Sequence, residues 1–82
     1  MNVTLLYFAG LRDFVARERE EIVLPEGVAT VNDFLAHLES RNGALAGRLG
    51  GVRVAMNEEF VSEETKIVAG CVLALIPPVS GG

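Results

Sequence analysis

The sequence predicts an α+β domain in which a mixed sheet carries one main helix packed across it. Three features of the 82-residue chain point there. Both ends hold apolar runs of strand length, "NVTLLYF" at residues 2–8 and "CVLALI" at 71–76. Only residues 30–43 show a long, clean helical period. The other apolar segments are short, alternating and bounded by Gly, Pro or Asn, which sets the order β–(short α)–β–α–β–β–β.

In the first run Val3, Leu5 and Tyr7 share one face, and Leu6 and Phe8 the other, as in a strand inside a sheet. "AGLRDFVARE" then places Leu11, Phe14 and Val15 at i, i+3, i+4, a short amphipathic helix after Gly10. "REEIVLPEG" is a strand carrying Ile22 and Leu24, closed by Pro25 and Gly27. In "TVNDFLAHLESRNG", Thr30 is a good N-cap and Asp33 completes a capping box in place of Glu. Val31, Phe34, Leu35 and Leu38 form the buried stripe, and Asn42-Gly43 ends the helix. "ALAGRLGG" adds up to one more helical turn before Gly50-Gly51. Val52, Val54 and Met56 alternate against Arg53, Ala55 and Asn57, and Asn57-Glu58-Glu59 is the expected tip of a hairpin returning at Phe60-Val61. Residues 71–76 are apolar throughout, a central strand covered on both faces. If the first and last strands pair in parallel at the middle, the domain is a ubiquitin-like β-grasp over residues 1–76, with an extended tail at 77–82.

Bulk properties narrow the function. Half the residues are apolar and net charge is −4, which suits a globular chain rather than a disordered one. The seven basic residues are spread along the chain without a run, so nucleic acid is a poor partner. The start lacks a basic n-region, and no segment is long enough to span a membrane. With a single cysteine, Cys71, no internal disulfide forms. A cytoplasmic location is expected.

Candidates for chemistry within the domain are few. His37 lies opposite the Phe34/Leu38 stripe and reads as a solvent-facing helix residue. Cys71 begins an apolar strand and reads as a buried thiol, since a reactive cysteine needs an accessible, electropositive setting. Glu20-Glu21, Glu58-Glu59 and Glu63-Glu64 are solvated charges. One His and one Cys do not make a metal site, and Gly50-Gly51 lacks the context of a phosphate cradle.

The end of the chain, "PPVSGG", stands apart. Pro77 and Pro78 bring no backbone donors, so they end the ladder and stiffen the exit. Six residues at about 3.3 Å each reach roughly 20 Å beyond the sheet. Through Val79 and Ser80 the chain narrows to Gly81 and Gly82, a tip without Cβ atoms that fits a channel closed to side chains. Its one reactive group is the Gly82 carboxylate, which needs activation by another protein before it can react. Length alone reads equally well as a frayed terminus; the proline pair and the abrupt stop favour function.

"LLYFAGLRDFV", "VRVAMNEEFV" and "LIPPVSGG", together with the helix order, resemble the ThiS/MoaD group of ubiquitin-like sulfur carriers, and within it the small subunits of molybdopterin synthase. The tail is the specific element, and the resemblance covers essentially the whole chain. It implies a chain that is not an enzyme by itself and binds no cofactor. Gly82 would be adenylated with ATP by an E1-like (MoeB-like) enzyme and converted to a thiocarboxylate using a sulfur donor protein. The tail, Pro77 to Gly82, would then enter a large MoaE-like subunit of a heterotetramer and deliver sulfur to cyclic pyranopterin monophosphate. One departure is the "AGCVLAL" stretch, where Cys71 and Val72 occupy positions the group commonly fills with an acidic turn.

Two strands apolar on both faces exceed what one helix covers, so Phe8, Leu73 and Leu75 are expected on a partner surface. Competing readings are a carrier for tRNA thiolation or thiamine synthesis, and a ubiquitin-like binding module with an inert tail. Formation of an acyl-adenylate at Gly82 separates carriers from modules.

Overall fold

The computed structural model describes residues 1–78, Phe14 by its backbone alone. Its strands are β1 (Asn2–Tyr7), β2 (Arg19–Val23), β3 (Arg53–Met56), β4 (Glu59–Val61) and β5 (Val72–Ile76). Helices α1 (Gly10–Val15) and α2 (Val31–Arg41) complete the domain, with a 3₁₀ turn at Gly43–Leu45. The sheet order is β2-β1-β5-β3-β4. β1 and β5 are parallel, with Leu5 opposite Leu73 and Tyr7 opposite Leu75, and the other pairings are antiparallel. This is the β-grasp arrangement, with the chain's first and last strands side by side at its centre.

Local chemistry explains the elements. Thr30 Oγ1 accepts from the Asp33 amide at 3.2 Å, while Asp33 Oδ2 accepts from the Thr30 and Ala29 amides at 3.1 Å each. This reciprocal cap satisfies donors that the first turn of α2 leaves open. These backbone donors, Thr30 first, hold the Asp33 carboxyl below its usual range. Asn42 ends α2, and its Oδ1 accepts from Ala44 at 3.0 Å to start the 3₁₀ turn. Between β3 and β4, Asn57 and Glu58 both have positive φ, the geometry of a tight hairpin. The tip is thus two residues rather than three, and Glu59 already pairs with Met56.

Alternation along the strands sorts the two sheet faces. Val3, Leu5, Tyr7, Val54, Leu73 and Leu75 turn inward with Val31, Phe34, Leu35 and Leu38 of α2. Leu45, Leu49 and Ile67 close the core from the connecting segments. Leu73 and Leu75 have no exposed surface, which corrects their expected place on a partner surface. An all-apolar run does not show which of its alternate residues lies beneath the helix, and the register puts these two there.

Candidate functional site

β5 is hydrogen-bonded on both sides, to β1 and β3, and ends at Ile76, from which the tail leaves the sheet. Pro77 is half-buried and Pro78 exposed. Pro78 rests beside Gly51, whose φ is +78°. A Cβ at Gly51 would stand 3.6 Å from Pro78 Cγ, so the Gly50-Gly51 turn forms the seat of the tail's root. Val79, Ser80, Gly81 and Gly82 lie outside the described residues.

The sheet face away from α2 leads to this root. One row across it runs Leu6, Ala74, Ala55 and Phe60, each the register partner of the next. Beyond it, nearer the tail, Ile76 pairs with Arg53, while the Phe8 amide donates to the Leu75 carbonyl at 3.3 Å. The small side chains of Ala55 and Ala74 make a low floor between two exposed aromatics, Phe8 (43% exposed) and Phe60 (54%). Apolar exposure grouped in this way marks interaction surfaces. Arg53 lies over the Phe60 ring, 4.0 Å from its centroid, an amphipathic pair suited to an interface. Beside it, Leu6, Tyr7, Phe8, Arg12, Glu18 and Arg19 line a shallow hollow of about 290 Å³.

Phe8 is exposed on this outer face. The neighbouring positions are Val72, Ala74 and Ile76, not Leu73 and Leu75. Phe60 and Arg53 escape a reading of single strands. Alternation from Val54 turns Arg53 outward, and only the hairpin register brings Phe60 opposite Ala55.

Other chemistry-bearing residues serve the fold. Cys71 is buried, and desolvation raises its thiol pKa. The stretch that departs from an acidic turn is held instead by Gly70, with φ +81°, and by Asn57, whose Oδ1 accepts from the Val72 amide at 2.9 Å. The buried Tyr7 hydroxyl donates to Glu20 Oε2 at 2.9 Å, and Arg41 and Arg17 approach the other carboxylate oxygen. Burial, helped by Glu20, pushes the Tyr7 pKa up. Burial also works to raise Glu20, but the bonds from Arg41 and Tyr7 and the two guanidinium charges hold it below its usual value. His37 is half-buried. Among the described residues no three His, Cys, Asp or Glu side chains gather as a metal site, and no helix is long and apolar enough to cross a membrane.

Known proteins share this sequence and architecture. The chain is 34% identical, over all of its length and 92% of the relative, to a molybdopterin synthase sulfur carrier subunit of Drosophila sechellia. The structure of SAMP1 from Haloferax volcanii superposes with a TM-score of 0.84 at 30% identity, each chain fully covered. A Helicobacter pylori structure of the complex of subunits 1 and 2 of molybdopterin-converting factor matches at TM-score 0.70 and 25% identity, again over both full chains. The ThiS family model matches residues 5–82, from β1 through the final glycine, and the chain belongs to that family.

Proposed function

We propose that the chain is the sulfur carrier of a molybdopterin synthase and that its working group is the Gly82 carboxylate. A carboxylate is a poor electrophile, so an E1-like (MoeB-like) enzyme first joins it to AMP from ATP, releasing pyrophosphate. Sulfide sulfur from a donor protein then displaces AMP and leaves a thiocarboxylate. The tail carries this sulfur into a large MoaE-like subunit, where cyclic pyranopterin monophosphate is the acceptor. The domain supplies delivery, while the pocket and its catalytic side chains belong to the partner. All of this takes place in the cytoplasm.

The observation that carries the reading is the exit of β5. A strand held on both sides aims the chain outward at Ile76, two prolines stiffen it, and the sequence then narrows to Gly81-Gly82. The full-length similarity to sulfur carrier subunits supports it, and the outer face around Phe8, Ile76 and Phe60 is the surface by which the large subunit would hold the domain.

The likeness to SAMP1, a small archaeal modifier protein, favours a second reading, in which an amine of another protein takes the activated acyl group. Both readings share the adenylate and differ in the nucleophile. Intact mass after incubation with the activating enzyme and a sulfur source tests the first: it expects one oxygen exchanged for sulfur at the terminus. Adding one residue after Gly82 displaces the carboxylate from the nucleotide, where reacting atoms must come within about 3–3.5 Å. That variant should fold and give no ATP–pyrophosphate exchange. Sulfur delivery by it, with the added residue still attached, would overturn the mechanism.

A further inference from the structure

The net charge of −4 conceals a division between the two ends of the domain. β1 and β5 run parallel, so the tail leaves from the end at which β1 gives way to α1. All six arginines are at that end. Arg12 is in α1, Arg17 follows it, and Arg19 opens β2 opposite Leu6. Arg41 is the last residue of α2, where it meets Glu20, and Arg48 precedes the Gly51 seat of the tail. Arg53 stands opposite Ile76, the last residue of β5.

The other end is acidic. Glu26 is in the turn after β2, Asp33 is in the first turn of α2, and Glu58 and Glu59 are at the β3–β4 hairpin. Glu63 and Glu64 adjoin the start of α2, where the Glu63 carbonyl accepts from Asn32 at 2.8 Å. Lys66, bridged to Thr30, and the Met1 ammonium, which donates to the Leu24 carbonyl, are the basic groups there. Six carboxylates against Lys66 and the Met1 ammonium leave about −4 at that end, while the side chains of the tail end, five carboxylates against six arginines, come to about +1. The whole negative surplus is therefore remote from the tail.

At the tail end the guanidinium groups border the apolar face. Arg12 and Arg19 line the hollow with Leu6 and Phe8, and Arg53 covers Phe60. Arg12 and Arg19 stay well exposed although each has a carboxylate nearby, Glu18 at 3.1 Å and Glu21 at 4.0 Å. Glu20 is shared by two arginines. Guanidinium is always charged, weakly hydrated and shaped to meet a carboxylate with two bonds, so this border fits carboxylates better than any other protein group.

We propose that the tail end docks on a protein surface with an apolar centre and an acidic rim surrounding the mouth the tail enters, and that the arginines orient the approach. The proposal rests on the carrier reading above and adds the partner's surface chemistry to it. The acidic far end is repelled by such a rim while the arginine end is drawn to it, so encounters begin tail-first. Oriented fields of this kind raise association rates by 10–1,000-fold in proteins and weaken with salt.

The test is stopped-flow association of the full chain with the large subunit from the same organism, across a series of salt concentrations. The wild-type rate should fall steeply with salt. The triple variant Arg12→Glu/Arg19→Glu/Arg53→Glu should associate about tenfold or more slowly at low salt, with a flatter salt dependence. Glu26→Lys/Glu64→Lys changes net charge at the remote end and should slow association far less. Circular dichroism and urea melts establish that each variant is folded. A salt-independent wild-type rate, or faster association after arginine reversal, would overturn the acidic rim while leaving the carrier reading intact. Failure of the wild type to bind the large subunit at all would remove both.

Discussion

Gly51 and Pro78 meet where the tail leaves the domain: the backbone at Gly51 adopts φ +78° and presents a bare Cα toward the proline ring. An L side chain at such a φ costs about 1 kcal/mol. Gly51→Ala should therefore lower unfolding free energy by about that much in urea titrations. Gly50, whose φ is not positive and around which space is open, should tolerate Ala with a smaller loss. Equal losses at both positions would show that the turn does not depend on the left-handed residue.

The two sheet faces should respond to substitution in opposite ways. Phe8→Glu and Phe60→Glu alter exposed side chains, and stability should stay within about 0.5 kcal/mol of wild type. Affinity for the large subunit, measured by titration calorimetry, should fall about tenfold or more, as for an interface anchor. Leu73→Ala should instead cost about 2–5 kcal/mol of stability by opening a cavity in the core.

Glu20 should shape the acid limb of the stability curve. A carboxyl whose folded pKa is depressed contributes stability that is fully present above its unfolded pKa, about 4.3. That contribution is lost as pH falls through the lower folded value. Glu20→Gln keeps the shape and an acceptor for Tyr7 but loses the charge that holds Arg17 and Arg41. The variant should be less stable than wild type at neutral pH, by about 1 kcal/mol, and the gap should narrow on acidification. Tyr7 is the only tyrosine and the chain has no tryptophan, so its fluorescence reads unfolding beside this carboxylate directly.

Cys71→Ala should leave sulfur loading at Gly82 intact, with a packing loss of about 1 kcal/mol. The native thiol, buried and with its pKa raised, should resist maleimide until the chain is unfolded. Intact mass reads both outcomes. A folded Cys71→Ala chain that accepts no sulfur would move the reactive group away from the terminus.

Much of this architecture was legible in the residues. Thr30, Asp33 and the Val31–Leu38 stripe specify α2 locally, because caps and helical periodicity need no distant partner. The parallel pairing of β1 and β5 follows from two strands apolar on both faces. What escaped depends on register. Leu73 and Leu75 belong to the core and Ala74 and Ile76 to the outer face, and in "VLALI" nothing but pairing to Leu5 and Tyr7 decides which. The Tyr7–Glu20–Arg41 contact and the Gly51–Pro78 seat join residues distant in sequence, so no local pattern announces them. The tail is the reverse case: "PPVSGG" is what suggests the proposed chemistry, while its last four residues lie outside the described structure.

The separation of lysine from arginine bears on chemical self-protection. An acyl-adenylate is open to any unprotonated amine within reach, including those of its own chain, and such an attack would close the tail into a dead-end amide. Among the described residues the amines are those of the Lys66 side chain and of Met1. Lys66 bridges to Thr30 at the start of α2, and the Met1 ammonium donates to the Leu24 carbonyl at 3.1 Å, both at the end of the sheet remote from the tail. Around the exit every cation is a guanidinium, which stays protonated and has no lone pair to offer an acyl carbon. The domain thus keeps its positive end without placing a competing nucleophile beside the terminus that the proposed adenylation would activate.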